Sequence, residues 1–394
     1  VLARILRVEP ERYRIAPMTP RADLAPGPVV VSGFFSDQRG VARSAGLTVA
    51  ALRGLGLTVI EHDISYILSG AAPVQGPAVT GGAWIVHANA PEAEFVLWRH
   101  PELARPPLLR IGYWAWELPK APRQWRRIGR AFHELWAPSV FTSKALAGPG
   151  LTVRTMPHPV PLHDRTAFSP PPGGPLAVLT FGDVRSSLDR KNTAGAITAY
   201  LRAFPEPGAA TLTVKLTGAS DETIDELRRL APERPDFRWV TRRLDQAELS
   251  ALYCESEVLL SLHRAEGFGL TIAEAMACGL SVVATDWSGN IDMMPDDPVQ
   301  RVPYRLTPVH DTSGIYTGRG QVWAAPDLAA AAERLVRLAG APALRQALSE
   351  KNRSAIAALH RPWRALGQHP GLLTAPANGQ DRPDEGPSRA TRRT

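Results

Sequence analysis

Glu266 and Glu274 stand eight positions apart in "RAEGFGLTIAEAMACG", between the apolar runs "VLLSLH" and "SVVATD". The runs have the length and composition of buried strands, and the stretch between them predicts a glycine-rich loop followed by a helix. Gly267 and Gly269 let the backbone approach a ligand closely. A helix starting near Gly269 turns its free N–H groups and the positive end of its dipole toward that ligand, which suits a phosphate or pyrophosphate. Two carboxylates beside a phosphate repel it unless they contact hydroxyls instead. The spacing can therefore bracket the two sugars of a sugar nucleotide, with the pyrophosphate between them at the helix end. Read without a ligand, the same pair is a solvated loop acid and an acid that favours the helix dipole.

Other residues capable of chemistry fall where predicted strands end. Arg185, Arg190 and Lys191 follow "LAVLTFGD". His263 and Arg264 directly precede the glycine loop, where they can reach the same ligand, and Phe268 and Leu270 belong to it. His87 ends the strand of "WIVHANAPE", whereas His133 in "AFHELW" reads as packing. Trp114, Trp116 and Glu117 in "YWAWELP" combine aromatic faces with an acid, a composition that binds sugar acceptors. In "RQWRRIGRAFHELW", Trp125, Ile128, Phe132 and Leu135 share one helical face, with Arg123, Arg126, Arg127 and Arg130 mostly elsewhere. That pattern predicts a core helix with a basic solvated side; the alternative is attraction to an anionic membrane carrying a lipid-linked acceptor.

The elements that must position these residues alternate strand and helix, which implies parallel sheets of βαβ units. "PVVVSGFF", "LTVIEHDI", "AWIVHANA", "LLRIGYWAW" and "ELWAPSVFTS" are the strand-like runs of the first half. "LAVLTFGD", "TLTVKLTG", "FRWVTRRL", "VLLSLH" and "SVVATD" are those of the second. Between the halves, "VRTMPHPVPLHDRTAFSPPPGGP" carries too much proline for a regular helix or a central strand. "DETIDELRRLA" and "DQAELSALYCE" each open on an aspartate suited to N-capping.

The chain has 394 residues, a net charge of +7 and 44% hydrophobic residues, enough for two or three domains with real cores. The basic balance favours anionic partners. No nucleic-acid-binding signature accompanies it, so nucleic acid is not an expected partner. Two cysteines, Cys254 and Cys278, make no disulfide framework or zinc site and fit a reducing cytoplasm. No apolar run long enough to span a bilayer and no secretory signal is expected.

"EGFGLTIAE" resembles the Glu-x7-Glu motif of the retaining GT-B glycosyltransferases, in particular glycosyltransferase family 4. "ACGLSVVATDWSGN", "FGDVRSSLDRKNTAGAITAYLRAF" (a form of the family's Arg-x5-Lys element) and "WAAPDLAAAAERL" extend the resemblance. "IGYWAWELPKAPRQWRRIGRAFHELWAPSVFTSKAL" is similar to the acceptor domains of bacterial polysaccharide enzymes of this kind. The resemblance covers roughly residues 28 to 365. It implies that Arg185 and Lys191 neutralise the donor pyrophosphate, with Arg190 an alternative one position away. It also implies that Gly40 lets the backbone approach the donor phosphates and that His87 faces the transferred sugar. The family often has glycine after the lysine; here Asn192 follows.

The expected architecture is α/β: a GT-B arrangement of two Rossmann-like, doubly wound domains facing a central cleft. Residues 1–27 form an N-terminal extension, 28–160 the acceptor domain, 161–175 a proline-rich linker and 176–345 the nucleotide-sugar donor domain. Residues 346–370 form a C-terminal helix crossing back toward the N-terminal half, and 371–394 a disordered tail. The expected activity is transfer of a hexose from a nucleotide-diphosphate sugar to a hydroxyl of a glycan or lipid-linked oligosaccharide, with retention. Catalysis rests on His87, Glu266, Arg185 and Lys191. Donor binding rests on Gly40, Arg190, His263, Gly267, Phe268, Gly269, Leu270 and Glu274, and acceptor binding on Trp114, Trp116 and Glu117. No Asp-x-Asp motif occurs in a suitable strand-end loop, so neither metal nor cofactor is expected. The expected place is the cytoplasm, peripheral to the inner membrane. A non-catalytic sugar-nucleotide or carbohydrate-binding protein and a GT-B epimerase are the competing readings.

Overall fold

The structure, a computed structural model, describes residues 15–36, 40–69, 71–72, 74–163 and 173–368. The expected tail, most of the expected linker and the start of the N-terminal extension lie outside the described residues. The first half forms a six-stranded parallel sheet from β1 (Val29–Gly33), β2 (Val59–Asp63), β3 (Gly82–Val86), β4 (Leu108–Tyr113), β5 (Glu134–Ala137) and β6 (Val153–Thr155), in the order β2-β1-β3-β4-β5-β6. The second half forms another from β7 (Leu176–Asp183), β8 (Ala210–Thr217), β9 (Phe237–Val240), β10 (Val258–Ser261), β11 (Ser281–Thr285) and β12 (Arg301–Val302), in the order β12-β11-β10-β7-β8-β9. Strands such as β1, β3 and β11 are buried along their whole length. Helices cover both faces of such a sheet, hence the continuous apolar runs.

The helices that matter below are α1 (Gly40–Gly54), α2 (Ala90–Arg99), α3 (Trp125–Gly129), α4 (Val140–Leu146), α5 (Leu188–Lys191) and α6 (Thr193–Ala203). They continue with α7 (Asp221–Arg228), α8 (Gln246–Cys254), α9 (Leu270–Ala277), α10 (Leu328–Ala339), α11 (Pro342–Ala358) and α12 (Arg361–Arg364). In an open α/β sheet, ligands bind beyond the carboxyl ends of the strands where the winding reverses. That switch lies between β1 and β3 in the first sheet and between β7 and β10 in the second. The loops after β7 and β10 carry Arg185 to Lys191 and His263 to Glu266, so strand order alone brings these two segments together.

Several local expectations are corrected. The segment 123–135 is not one helix: α3 stops at Gly129, Phe132 lies in the following turn and Leu135 belongs to β5. All four apolar residues are nevertheless buried, because three different elements feed the same core. "ELWAPSVFTS" divides into β5 and α4, with Ser139 as N-cap accepting from the Thr142 amide. The proline-rich stretch begins with the edge strand β6, which precedes its first proline. Helix α7 is capped by Ser220 rather than Asp221, while Asp245 caps α8 in a full capping box.

An antiparallel ribbon, β13 (Tyr304–Pro308) paired with β14 (Val322–Pro326), was not anticipated. The ribbon and its connecting segment reach the first half: Tyr316 of the connection and Trp323 of β14 join the core cluster built around Trp84 and Trp114, and Gln321 Nε2 donates to the Lys120 carbonyl at 2.6 Å. At the far end, Trp363 of α12 is buried among first-half residues, edge-on to Trp136 and donating to the Pro157 carbonyl at 2.7 Å.

Candidate active site

The apolar strand β10 ends at Ser261, and the chain turns through His263 to Gly269 before entering α9. Gly269 is the N-cap of that helix, with φ +88° and no side chain to satisfy the first amides. Glu266 is buried at the mouth of the turn. Its Oε1 lies 2.6 Å from Lys191 Nζ and 3.1 Å from Arg190 Nη1. Burial alone would raise this carboxyl, but Arg190 and Lys191 beside it bring it down to about 2. It is a carboxylate at any working pH.

The two neighbouring cations have different tasks because they leave α5 in different directions. Arg190 is buried and clamped, donating to the Ala265 carbonyl (2.7 Å) and the Ser186 carbonyl (3.1 Å), with the Tyr316 ring 5.5 Å from its guanidinium. Lys191 keeps 16% of its side chain accessible. Arg185 is more exposed and is held by Asp183 through contacts of 3.0 and 3.1 Å. The asparagine that stands where the family often has glycine adopts the left-handed conformation (φ 52°, ψ 44°) and donates from Nδ2 to the Leu262 carbonyl at 2.7 Å. Asparagine is among the few residues that visit this region readily. The backbone that a glycine would allow is thus preserved.

Glu274 is buried one turn into α9, with Oε1 2.9 Å from Arg43 Nε and Oε2 accepting from Tyr253 at 3.2 Å. Arg43 comes from the first turn of α1, in the other half, so the second glutamate lies at the interface between the halves. Gly40 opens α1 and is exposed, and among the described residues no atom outside its own helix and chain neighbours lies within 4 Å of where a side chain would start. The glycine loop itself is docked on the first half. Ser139 Oγ donates to the Gly267 carbonyl at 2.5 Å, Thr142 Oγ1 lies 3.0 Å from the same oxygen, and the Val140 amide donates to Asp292 at 2.5 Å. Gly289 packs so closely on Gly267 that any Cβ would collide with its carbonyl.

His263 is fully buried and spends both ring nitrogens on protein partners, with Nε2 2.9 Å from Asn290 Oδ1 and Nδ1 3.1 Å from Ser261. It braces the loop. Its neighbour Arg264 lies over the Trp323 ring, 5.6 Å from the centroid. Phe268 is buried with its ring edge-on to His158 at 4.8 Å. Leu270, partly buried, packs against the same core cluster. His87 is buried at the carboxyl end of β3, stacked 4.4 Å from Tyr113 and bonded through Nδ1 to Ser44 at 3.1 Å. His133 braces the backbone, its Nδ1 accepting from the Arg110 amide at 2.9 Å.

The acceptor candidates divide. Trp114 is completely buried against Trp125 and Phe132, which makes it core rather than a platform for sugars. Trp116 is also mostly enclosed, packed on Trp125 and Tyr316 with its indole N–H on the Lys120 carbonyl. Glu117 is only half-buried, with the Tyr316 hydroxyl beside it. Arg43, Ser44, Tyr113, His158 and Tyr316 were not singled out in the sequence. Arg43 and Ser44 had a usable signal, as polar residues in the first helical turn after β1 and its glycine.

Four buried histidines, His62 on β2 with His87, His158 and His263 at the site, carry a stability consequence. Burial lowers His62 to about 4 and His158 to about 3, and pushes His87 and His263 down from the ordinary 6.5. The folded chain then binds fewer protons than the unfolded one below about pH 6.5, so stability is complete above that value and is lost as pH falls toward 3. Glu266, depressed from 4.5, adds to the loss below about pH 4.5. Melting temperature should therefore drop steadily from pH 7 to pH 4.5; a flat profile over that range would contradict the neutral buried histidines.

The family described as "Family 4 Glycosyltransferase in conflict systems" matches residues 139–360, more than half of the chain. No curated protein matches it in sequence. Among solved structures, WaaG, a glycosyltransferase involved in lipopolysaccharide biosynthesis, is 17% identical with a TM-score of 0.55, over 86% of this chain and 98% of that one. Anabaena Alr3699/HepE, solved with UDP and glucose, is 13% identical with a TM-score of 0.55, over 84% and 94%. TarM from S. aureus, in a complex containing UDP and alpha-GlcNAc-glycerol, is 11% identical with a TM-score of 0.53 over 73% of this chain. The chain spans only 55% of the TarM length. At these identities the likeness is one of fold, and the fold is GT-B. Among the described residues no helix is long and apolar enough to cross a membrane.

Proposed function

This chain belongs to the family 4 glycosyltransferases of conflict systems, which use nucleotide sugars as donors, and from that membership we propose a metal-independent transfer of a hexose to a hydroxyl acceptor across the cleft between its halves. The observation that carries the site assignment is the ion pair of Lys191 with Glu266 at the switch point of the second sheet. It brings a cation and a carboxylate together beside the uncapped start of α9, and such a carboxylate suits sugar hydroxyls. In this reading the donor diphosphate lies at that helix end, against Lys191 and Arg185. Glu274 exchanges Arg43 for the ribose hydroxyls, Glu266 holds hydroxyls of the transferred sugar, and His87 approaches the sugar from the first half. Gly40 leaves room for the phosphates.

Both carboxylates are then occupied by hydroxyls, and neither serves as a nucleophile. The acceptor hydroxyl attacks the anomeric carbon on the face from which the diphosphate departs, and the leaving phosphate oxygen takes its proton. Retention follows without a covalent intermediate. Lys191 and Arg185 stabilise the negative charge that grows on the leaving group, the task a metal performs elsewhere. Glu117 is the acceptor candidate nearest to solvent, and a glycan or lipid-linked oligosaccharide, presented at an anionic membrane by the arginines of 123–130, is the acceptor class. A panel of nucleotide sugars, each with and without glycan acceptors and with EDTA present, tests this. Release of nucleoside diphosphate should continue in EDTA and be stimulated by an acceptor. Loss of turnover in EDTA with recovery on added magnesium or manganese would refute the metal-free clamp.

A further inference from the structure

Three aromatic rings are stacked beside the glycine loop. The Tyr113 ring is sandwiched between His87, at 4.4 Å and 19°, and His158, at 5.3 Å and 14°. Ser44 Oγ bridges the two imidazoles, 3.1 Å from His87 Nδ1 and 3.2 Å from His158 Nδ1. Residues 44, 87, 113 and 158 belong to α1, the loops after β3 and β6, and the end of β4. All four are buried, and the stack touches the glycine loop through Phe268.

The protons of this cluster can be placed by elimination. Tyr113 has one hydroxyl hydrogen, and its oxygen lies 2.5 Å from the Met156 carbonyl, which only accepts. The hydrogen goes there. The contact of 2.9 Å between Tyr113 Oη and His158 Nδ1 then needs its hydrogen from the imidazole, so His158 is protonated at Nδ1. The same N–H faces Ser44 Oγ, and among the described residues the serine hydrogen has no acceptor other than His87 Nδ1. His87 Nδ1 is therefore an acceptor. A neutral imidazole with Nδ1 unprotonated carries its hydrogen on Nε2, and that buried atom has no hydrogen-bond partner among the described residues. Burial keeps His87 and His158 neutral.

We propose that Tyr113, His158 and Ser44 are positioning residues that lock His87 as an Nε2–H donor, directed at a hydroxyl or ring oxygen of the transferred sugar. The inference rests on the reading that His87 faces the donor sugar, and it makes His87 a hydrogen-bond donor and not a general base. An unpaired buried donor is costly, so a ligand acceptor opposite it gains what the free protein forgoes.

Ring nitrogen NMR on the full chain labelled with ¹⁵N-histidine, with His87 assigned by His87→Gln, reads the tautomer without any substrate. The expected result is a neutral His87 with protonated Nε2 and bare Nδ1 near pH 7. A protonated Nδ1, or an imidazolium, would overturn the proposal. Ser44→Ala should mix the tautomers and lower sugar-release turnover roughly tenfold, the worth of one neutral hydrogen bond, while nucleoside diphosphate affinity stays unchanged. Ser44→Thr, which keeps the hydroxyl, should restore the single tautomer. A single Nε2–H tautomer that persists in Ser44→Ala would also overturn it. If the tautomer behaves as expected but no nucleotide sugar is consumed, the transferase reading fails while the proton arrangement stands.

Discussion

Lys191→Ala is expected to lower turnover about 10²–10³-fold, the usual loss when one fixed electrostatic contact to a transition-state charge is removed. The ammonium sits beside Glu266 at the end of α5, where negative charge accumulates as the sugar–phosphate bond breaks. Stability should fall by about 1–3 kcal/mol, since Lys191 is mostly buried and paired rather than solvated. Glu266 keeps Arg190 as a partner, so the carboxylate is not orphaned. Steady-state kinetics well below the melting temperature, beside thermal melting of the same variant, separate the two effects. Near-normal turnover would remove Lys191 from the charge clamp.

The adjacent substitution should behave in the opposite way. Arg190→Ala takes a buried guanidinium from two backbone carbonyls, Glu266 and the Tyr316 ring. Breaking a buried pair from one side typically costs about 3–5 kcal/mol. The expected result is a chain that melts far earlier or fails to accumulate, with the β13–β14 segment loosened because Tyr316 loses one of its partners. A variant with wild-type melting and low turnover would instead place Arg190 at the donor.

The contrast between these neighbours shows where sequence reading stops. Both are cations after β7, and sequence alone leaves their roles interchangeable. Consecutive helical positions point about 100° apart, and the phase of α5 decides which one turns inward. The two sheets were legible because parallel strands buried on both faces read as continuous apolar runs, and the loop of Glu266 because its glycines and helix start are local. The ribbon β13–β14 was not, because its strands are short, β13 is mostly exposed, and each ends on a proline. Segment 123–135 kept helical spacing although its apolar residues reach one core from a helix, a turn and a strand. Ser44, Tyr113 and His158 carry no common motif, since only the order of the strands assembles them. Trp114 looked like a sugar platform because aromatic residues at a strand end serve cores and ligands alike.

The central claim is that the two glutamates bracket a nucleotide sugar at the interface of the halves, with Glu274 on the ribose. Calorimetric titration of uridine, guanosine and adenosine diphosphates into the full chain and into Glu274→Ala tests it most directly. At least one nucleotide should bind the unaltered chain, and Glu274→Ala should weaken that binding by about 1–3 kcal/mol, roughly 5- to 150-fold. Equal affinity in both proteins, or binding of none of the three, would contradict the account.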